Sequence, residues 1–131
     1  MDYSKIKFIS SCQFTLKVAD HTEISNIISK FINEEIKSKL KSYNFGYRYF
    51  IGGLGSFGSS DMNFNSDIDM IIVIENESEL SRAQKDFGEI LIQWRKSLEP
   101  LVIDFRLRPE GKSSQLIWDL ENYTKYFDKR A

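Results

Sequence analysis

From Thr22 to Lys41 apolar residues recur every three or four positions: Ile24, Ile27, Ile28, Phe31, Ile32, Ile36 and Leu40. That period predicts an amphipathic helix, with Lys30, Glu34, Lys37 and Lys41 off the apolar stripe. Asp20 or Thr22 is placed to cap its start, and Asn44 with Gly46 to end it. Tyr47–Leu54 is aromatic and β-branched before it runs into glycines, the pattern of a strand followed by a loop. Ile68–Glu75 predicts a second strand. After the polar turn Glu75–Ser78, a second amphipathic helix is marked by Leu80, Ala83, Phe87, Ile90, Leu91, Trp94 and Leu98. Leu101–Leu107 predicts a third strand, entered through Pro100 and stopped at Pro109. Asp119 is placed to cap a last helix bearing Leu120, Tyr123 and Phe127. Residues 1–21 are only weakly placed, with helix favoured for part of them. The order α, β, β, α, β, α predicts an α/β (α+β) domain: a small mixed sheet with helices packed on it.

At 131 residues the chain makes one domain, 1–131, with a real core. A net charge of −1 disfavours nucleic acid and anionic membrane as partners. Cys12 and His21 are the only residues of their kinds, so an intrachain disulfide and a thiolate zinc cage are both excluded. Any metal site must then be built mainly from carboxylates, which favours Mg²⁺ or Mn²⁺. Lysines and serines interrupt the N-terminal apolar residues, unlike a signal peptide, and no apolar run reaches membrane-spanning length. The expected location is cytoplasmic.

The candidate chemistry lies between Phe50 and Ile74. Gly53–Gly58 reads Gly-Leu-Gly-Ser-Phe-Gly, a literal GxGxxG, but only nine residues, Ser59 to Asp67, separate it from the next apolar run. A βαβ crossover takes at least ~10–12 residues, and these nine are rich in Ser, Asn and Asp, so no dinucleotide-binding unit fits. A P-loop is excluded because no Gly-Lys-Ser/Thr follows. What remains is a tight glycine loop offering backbone N–H groups and hydroxyls to phosphate oxygens. Asp67 and Asp69 stand two residues apart at the head of the second strand, where i and i+2 share a face. Adjacent carboxylates repel unless a cation lies between them. On the third strand Asp104, Arg106 and Arg108 alternate with Ile103, Phe105 and Leu107. That spacing suggests a third metal ligand and guanidiniums aimed at phosphates. The combination suits nucleotidyl transfer: the loop holds phosphates, the carboxylates hold metal, and Asp104 activates the incoming hydroxyl. Phe57, Phe64 and Trp118 are candidates to stack on an adenine and Lys112 to touch a triphosphate, although core packing or a solvated turn explains each more simply.

A Gly-Ser after a strand, about a dozen residues, Asp-x-Asp and a later strand Asp resemble the nucleotidyltransferase superfamily (polymerase-β-like). Gly55-Ser56, Asp67-Ile68-Asp69 and Asp104 occupy those places. "GLGSFGSSDMNFNSDIDMIIV" and "VIDFRLRPEGKSSQLIWDLENYTKYF" are similar to the catalytic domain of the glutamine synthetase adenylyltransferases. The resemblance implies Asp67, Asp69 and Asp104 as catalytic, metal-holding residues. It implies Gly55, Ser56, Ser66, Arg106 and Arg108 as nucleotide- and phosphate-binding, with Mg²⁺ (or Mn²⁺) and ATP. It also implies a glutamine synthetase-like protein acceptor, whose tyrosine receives AMP or loses it by phosphorolysis. Asn63-Phe64 and Arg106–Gly111 lean toward the removing domain. The family's usual Lys is Ser56 here, and the segment between the second and third strands is short. Two alternatives stand beside this reading. One is a minimal nucleotidyltransferase acting on a small molecule or RNA; the other is a non-catalytic nucleotide-binding regulatory module.

Overall fold

The computed structural model describes residues 3–15, 20–59, 61–63, 65–105, 108–109 and 115–130. Helix α1 is Tyr3–Thr15 and α2 is His21–Leu40. Asp20 caps α2 as expected, its carboxylate accepting from Glu23 N–H at 2.9 Å. The helix ends at Leu40, ahead of Asn44 and Gly46, with Lys41 N–H still bonded to Lys37 C=O. Strand β1, Tyr49–Leu54, runs straight into the single-turn helix α3, Gly55–Gly58, where a loop was expected. Then come β2 (Ile68–Ile74), a 3₁₀ turn at Glu77–Glu79, α4 (Leu80–Leu98), β3 (Ile103–Asp104), β4 (Ile117–Asp119) and α5 (Leu120–Arg130).

β2 is the central strand. β1 pairs with it antiparallel on one side, and on the other β3 pairs parallel with its first residues and β4 parallel with its last. The antiparallel β1–β2 pair independently rules out a dinucleotide crossover, which needs parallel strands. Residue 68 onward is buried on both faces except at Asp69, the mark of a strand covered on two sides. Ile68, Met70, Ile72 and Ile74 point into the main core, against Ile28, Phe31 and Ile32 of α2 and Phe87, Ile90 and Trp94 of α4. Trp94 also donates its indole N–H to Ile36 C=O at 3.3 Å, tying the two helices together. The predicted stripes are those buried, except that Leu40 and Leu80 are only partly so and Ile27 stays 37% exposed at the edge of α2.

Two expectations are corrected. The third strand is Ile103–Asp104 rather than Leu101–Leu107: Leu101, Val102 and Phe105 lie outside the pairing with β2, and Arg108 N–H donates to Phe105 C=O at 3.1 Å. β4 was not foreseen. Three residues before a capped helix carry no periodicity of their own, and they become a strand only because β2 offers them a free edge. Asp119 does cap α5, accepting from Asn122 N–H at 3.0 Å and from its side-chain amide at 2.8 Å. No helix among the described residues is long and apolar enough to cross a membrane.

Candidate functional site

Two registers assemble the site. Leu54 lies opposite Asp69 in the β1–β2 pair, and Asp69 lies beside Asp104 in the β2–β3 pair. Partners in register share a face of the sheet, so Asp69 and Asp104 carry adjacent carboxylates on the face turned away from Met70 and Ile72. Asp104 is 7% exposed and Asp69 partly buried. Asp67 is the residue immediately before the ladder and is also partly buried. Its neighbour Ile68 is fixed by an N–H bond to Val102 C=O at 2.8 Å.

The glycine loop closes onto the same carboxylate. Gly55 has φ +53°, and a Cβ added there would stand 2.9 Å from Asp69 Oδ2. Only glycine satisfies both the left-handed backbone and the close approach. Gly58 comes so near Gly53 that a Cβ would meet its carbonyl oxygen at 2.5 Å, and this contact shuts the turn. Inside the turn, Ser59 N–H donates to Gly55 C=O at 3.1 Å and Asp61 N–H to Ser56 C=O at 2.8 Å. The first N–H groups of such a turn have no intrahelical acceptor. Ser56, partly exposed, follows Gly55 at this point.

The remaining predicted residues divide. Ser66 directly precedes Asp67, and its hydroxyl oxygen accepts from Asn63 N–H at 3.0 Å, which holds the turn leading to Asp67. Arg108 is not on the strand face with Asp104, as alternation predicted. It folds back through the turn, donating from Nη1 to Phe105 C=O at 2.9 Å. Burial pushes its guanidinium below the usual value, while the Asp104 carboxylate pulls it back up. Arg108 therefore stays in Asp104's field by another route. Arg106, Leu107, Lys112 and Phe64 lie outside the described residues. Phe57 is buried beneath the loop, and Trp118 packs on Tyr126 with centroids 6.0 Å apart, so packing accounts for both rings.

Sequence reasoning missed the struts behind the site. Ser25 on α2 donates from Oγ to Met62 C=O at 2.7 Å, and Met62 is fully buried. The signal was present: Ser25 lies on the buried face of α2, between Ile24 and Ile28. His21, expected to be a bystander, meets Asp61 at 3.1 Å across an exposed surface. Both contacts tie the segment between α3 and β2 to α2.

Among the described residues, no three His, Cys, Asp or Glu side chains form a ready-made metal cage. The donors do suit Mg²⁺ or Mn²⁺. They are hard carboxylate oxygens in adjacent register, with a Cβ-free backbone at their side, and Mg²⁺ is commonly held by one or two carboxylates plus substrate phosphates.

The glutamate-ammonia ligase adenylyltransferase family matches this chain over residues 21–131. The chain belongs to this family. It is 32% identical over 131 residues to the bifunctional glutamine synthetase adenylyltransferase/adenylyl-removing enzyme of Bartonella quintana, covering 91% of the chain and 12% of that protein. The enzymes of the same name from Streptomyces coelicolor and Streptomyces avermitilis are 32% and 33% identical over 90 and 91 residues. Each alignment covers 61% of the chain and 9% of the relative. The chain thus spans about a tenth of the length of these adenylyltransferase relatives.

Proposed function

We propose that this domain is a metal-dependent nucleotidyltransferase. It transfers AMP from ATP to a tyrosine of a glutamine synthetase-like protein, with pyrophosphate leaving, or removes that AMP by phosphorolysis, with ADP and the free tyrosine as products. The observation that carries this reading is the meeting of Asp69, Asp104 and the Gly55 turn at one point of the sheet, in a chain of the adenylyltransferase family. Asp67, Asp69 and Asp104 would hold Mg²⁺ or Mn²⁺, which supplies charge neutralisation at the phosphates. The chain's own residues do the rest. Gly55 and Ser56 present N–H and hydroxyl donors to phosphate oxygens. Ser66 sets the turn that delivers Asp67, with its hydroxyl beside the phosphate path. Asp104 accepts the proton of the attacking hydroxyl at a carboxylate oxygen. Arg106 and Arg108 add positive charge on the phosphate side, and Arg108's proximity to Asp104 keeps that carboxylate oriented.

Calorimetric titration of ATP with Mg²⁺ or Mn²⁺ tests this on the wild type and on Asp67→Asn and Asp69→Asn. Metal-dependent binding is expected in the wild type and its loss in both variants, with their circular dichroism unchanged. Full ATP affinity in both variants would refute the site. With α-labelled ATP and glutamine synthetase, label on the acceptor would fix the forward direction. Release of ADP from adenylylated enzyme in phosphate would fix the reverse.

A further inference from the structure

Among the described residues β1 has a partner on one side only. The ladder decides which of its backbone groups that partner uses. Glu75 N–H donates to Arg48 C=O at 3.0 Å in the same register, so Arg48 and Glu75 are a hydrogen-bonded pair. Antiparallel pairs alternate, which assigns Phe50, Gly52 and Leu54 to the bonds with β2. Tyr49, Ile51 and Gly53 therefore turn their N–H groups outward, and Tyr49 and Ile51 their C=O groups as well, while the Gly53 carbonyl is covered by Gly58.

That edge does not open onto a flat surface. It forms one side of a groove whose other wall is α2, through Asn33, Lys37 and Leu40. Ile36 and Phe57 lie at its base, and Gly58, seated on the Gly53 carbonyl, closes one end. The strand Tyr-Phe-Ile-Gly-Gly-Leu carries no proline and no charge, two of the devices by which natural edge strands repel pairing. Tyr49 to Gly53 spans about 14 Å of strand, enough for roughly five residues of a partner. Among the described residues lining the groove, Lys37 carries the only charge.

We propose that the groove between α2 and β1 docks an extended segment of a partner protein by strand addition. An apolar side chain of that segment enters toward Ile36 and Leu40, and an acidic one meets Lys37. Repeated main-chain donors and acceptors at strand spacing call for a peptide backbone as ligand, and a helix–strand groove is a recurring way to receive one. A second copy paired edge to edge would bring its own Lys37 to the same groove, so the charge favours an acidic segment over self-pairing. The groove opens on the helix-covered side of the sheet, so docking there leaves the carboxylate face free.

The test is to pan a random seven-residue peptide library against the protein and titrate the selected peptides into ¹⁵N-labelled protein. Peptides alternating apolar residues with Asp or Glu are expected. The amides of Tyr49, Ile51 and Gly53 should shift and gain exchange protection while those of Phe50 and Gly52 stay protected throughout. Lys37→Glu should weaken binding roughly tenfold or more through like-charge contact. Ile51→Pro removes an outward N–H without touching a bond to β2 and should abolish binding. If it fails to fold, Lys37→Glu alone decides. Failure to select a peptide, binding that leaves those three amides unmoved, or indifference to Lys37→Glu would each overturn the proposal. So would a dimer in sedimentation whose β1 edge is protected without peptide.

Discussion

Gly55 shows how one residue links backbone to chemistry. Its left-handed φ disfavours any side chain, and a Cβ there would stand 2.9 Å from Asp69 Oδ2, so that the carboxylate would have to move. Gly55→Ala is expected to cost about 1–2 kcal/mol of stability from the backbone alone. It should also weaken metal-dependent ATP binding by pushing the carboxylate aside. Chemical denaturation beside ATP titration reads both, and unchanged ATP affinity would free Gly55 from the site. Asp104→Asn is expected to cut turnover far more than ATP affinity; equal losses would argue against a proton-accepting role. Asp119 has a structural part. Burial pushes its carboxyl up, but the Asn122 hydrogen bonds, its own backbone N–H and the Lys125 charge together bring it below its usual value. A depressed folded value means the stabilisation is present above the unfolded value of about 3.9 and is lost as pH falls through the folded one. Asp119→Ala should therefore lower stability at pH 7 by about 0.5–2 kcal/mol, the range for a lost cap, and flatten the acid limb of the stability curve. Denaturant melts from pH 7 to pH 2 would show it.

At the scale of elements, the site depends on how the segment between α3 and β2 is held. Ser25 to Met62 is a buried hydrogen bond between residues 37 apart in sequence, and it anchors the approach to Asp67. Ser25→Ala is expected to cost ~1 kcal/mol or somewhat more, since Met62 C=O loses a buried partner. If the strut positions Asp67, metal-dependent ATP affinity should fall as well, with recovery in Ser25→Thr. Loss of stability without loss of affinity would make it a packing contact only. The entry to β1 is held differently. Phe45 stacks on Phe87 with centroids 5.3 Å apart, Tyr47 donates to Asp86 at 2.7 Å, and Arg82 lies 5.0 Å over the Tyr47 ring. Burial first, and the Asp86 carboxylate second, push the Tyr47 hydroxyl well above its ordinary value. The sequence pattern starts the strand at Tyr47, but the ladder begins only at Tyr49. Upstream of that residue the aromatic side chains bind α4 instead of a neighbouring strand.

For the whole molecule, α2 and α4 cover one face of a sheet whose other face bears the carboxylates. Trp94 at the centre of that helix layer is fully buried. Trp94→Ala should cost ~3–5 kcal/mol and loosen the layer as a unit, which urea denaturation would register. What the sequence by itself determined was whatever repeats within a few residues. The two amphipathic stripes, the strand core at Ile68–Ile74, the caps at Asp20 and Asp119, and the Asp67–Asp69 spacing are all local, and local periodicity is readable in one chain. Tertiary structure decided the rest, because it depends on pairing between distant segments. The register that sets Asp104 beside Asp69 arises between residues 35 positions apart, so no spacing in the sequence encodes it. β4 exists only where β2 lends it hydrogen bonds, and Arg108 turns back because the third strand stops at Asp104. The Gly55 conformation has meaning only against a carboxylate that another strand delivers.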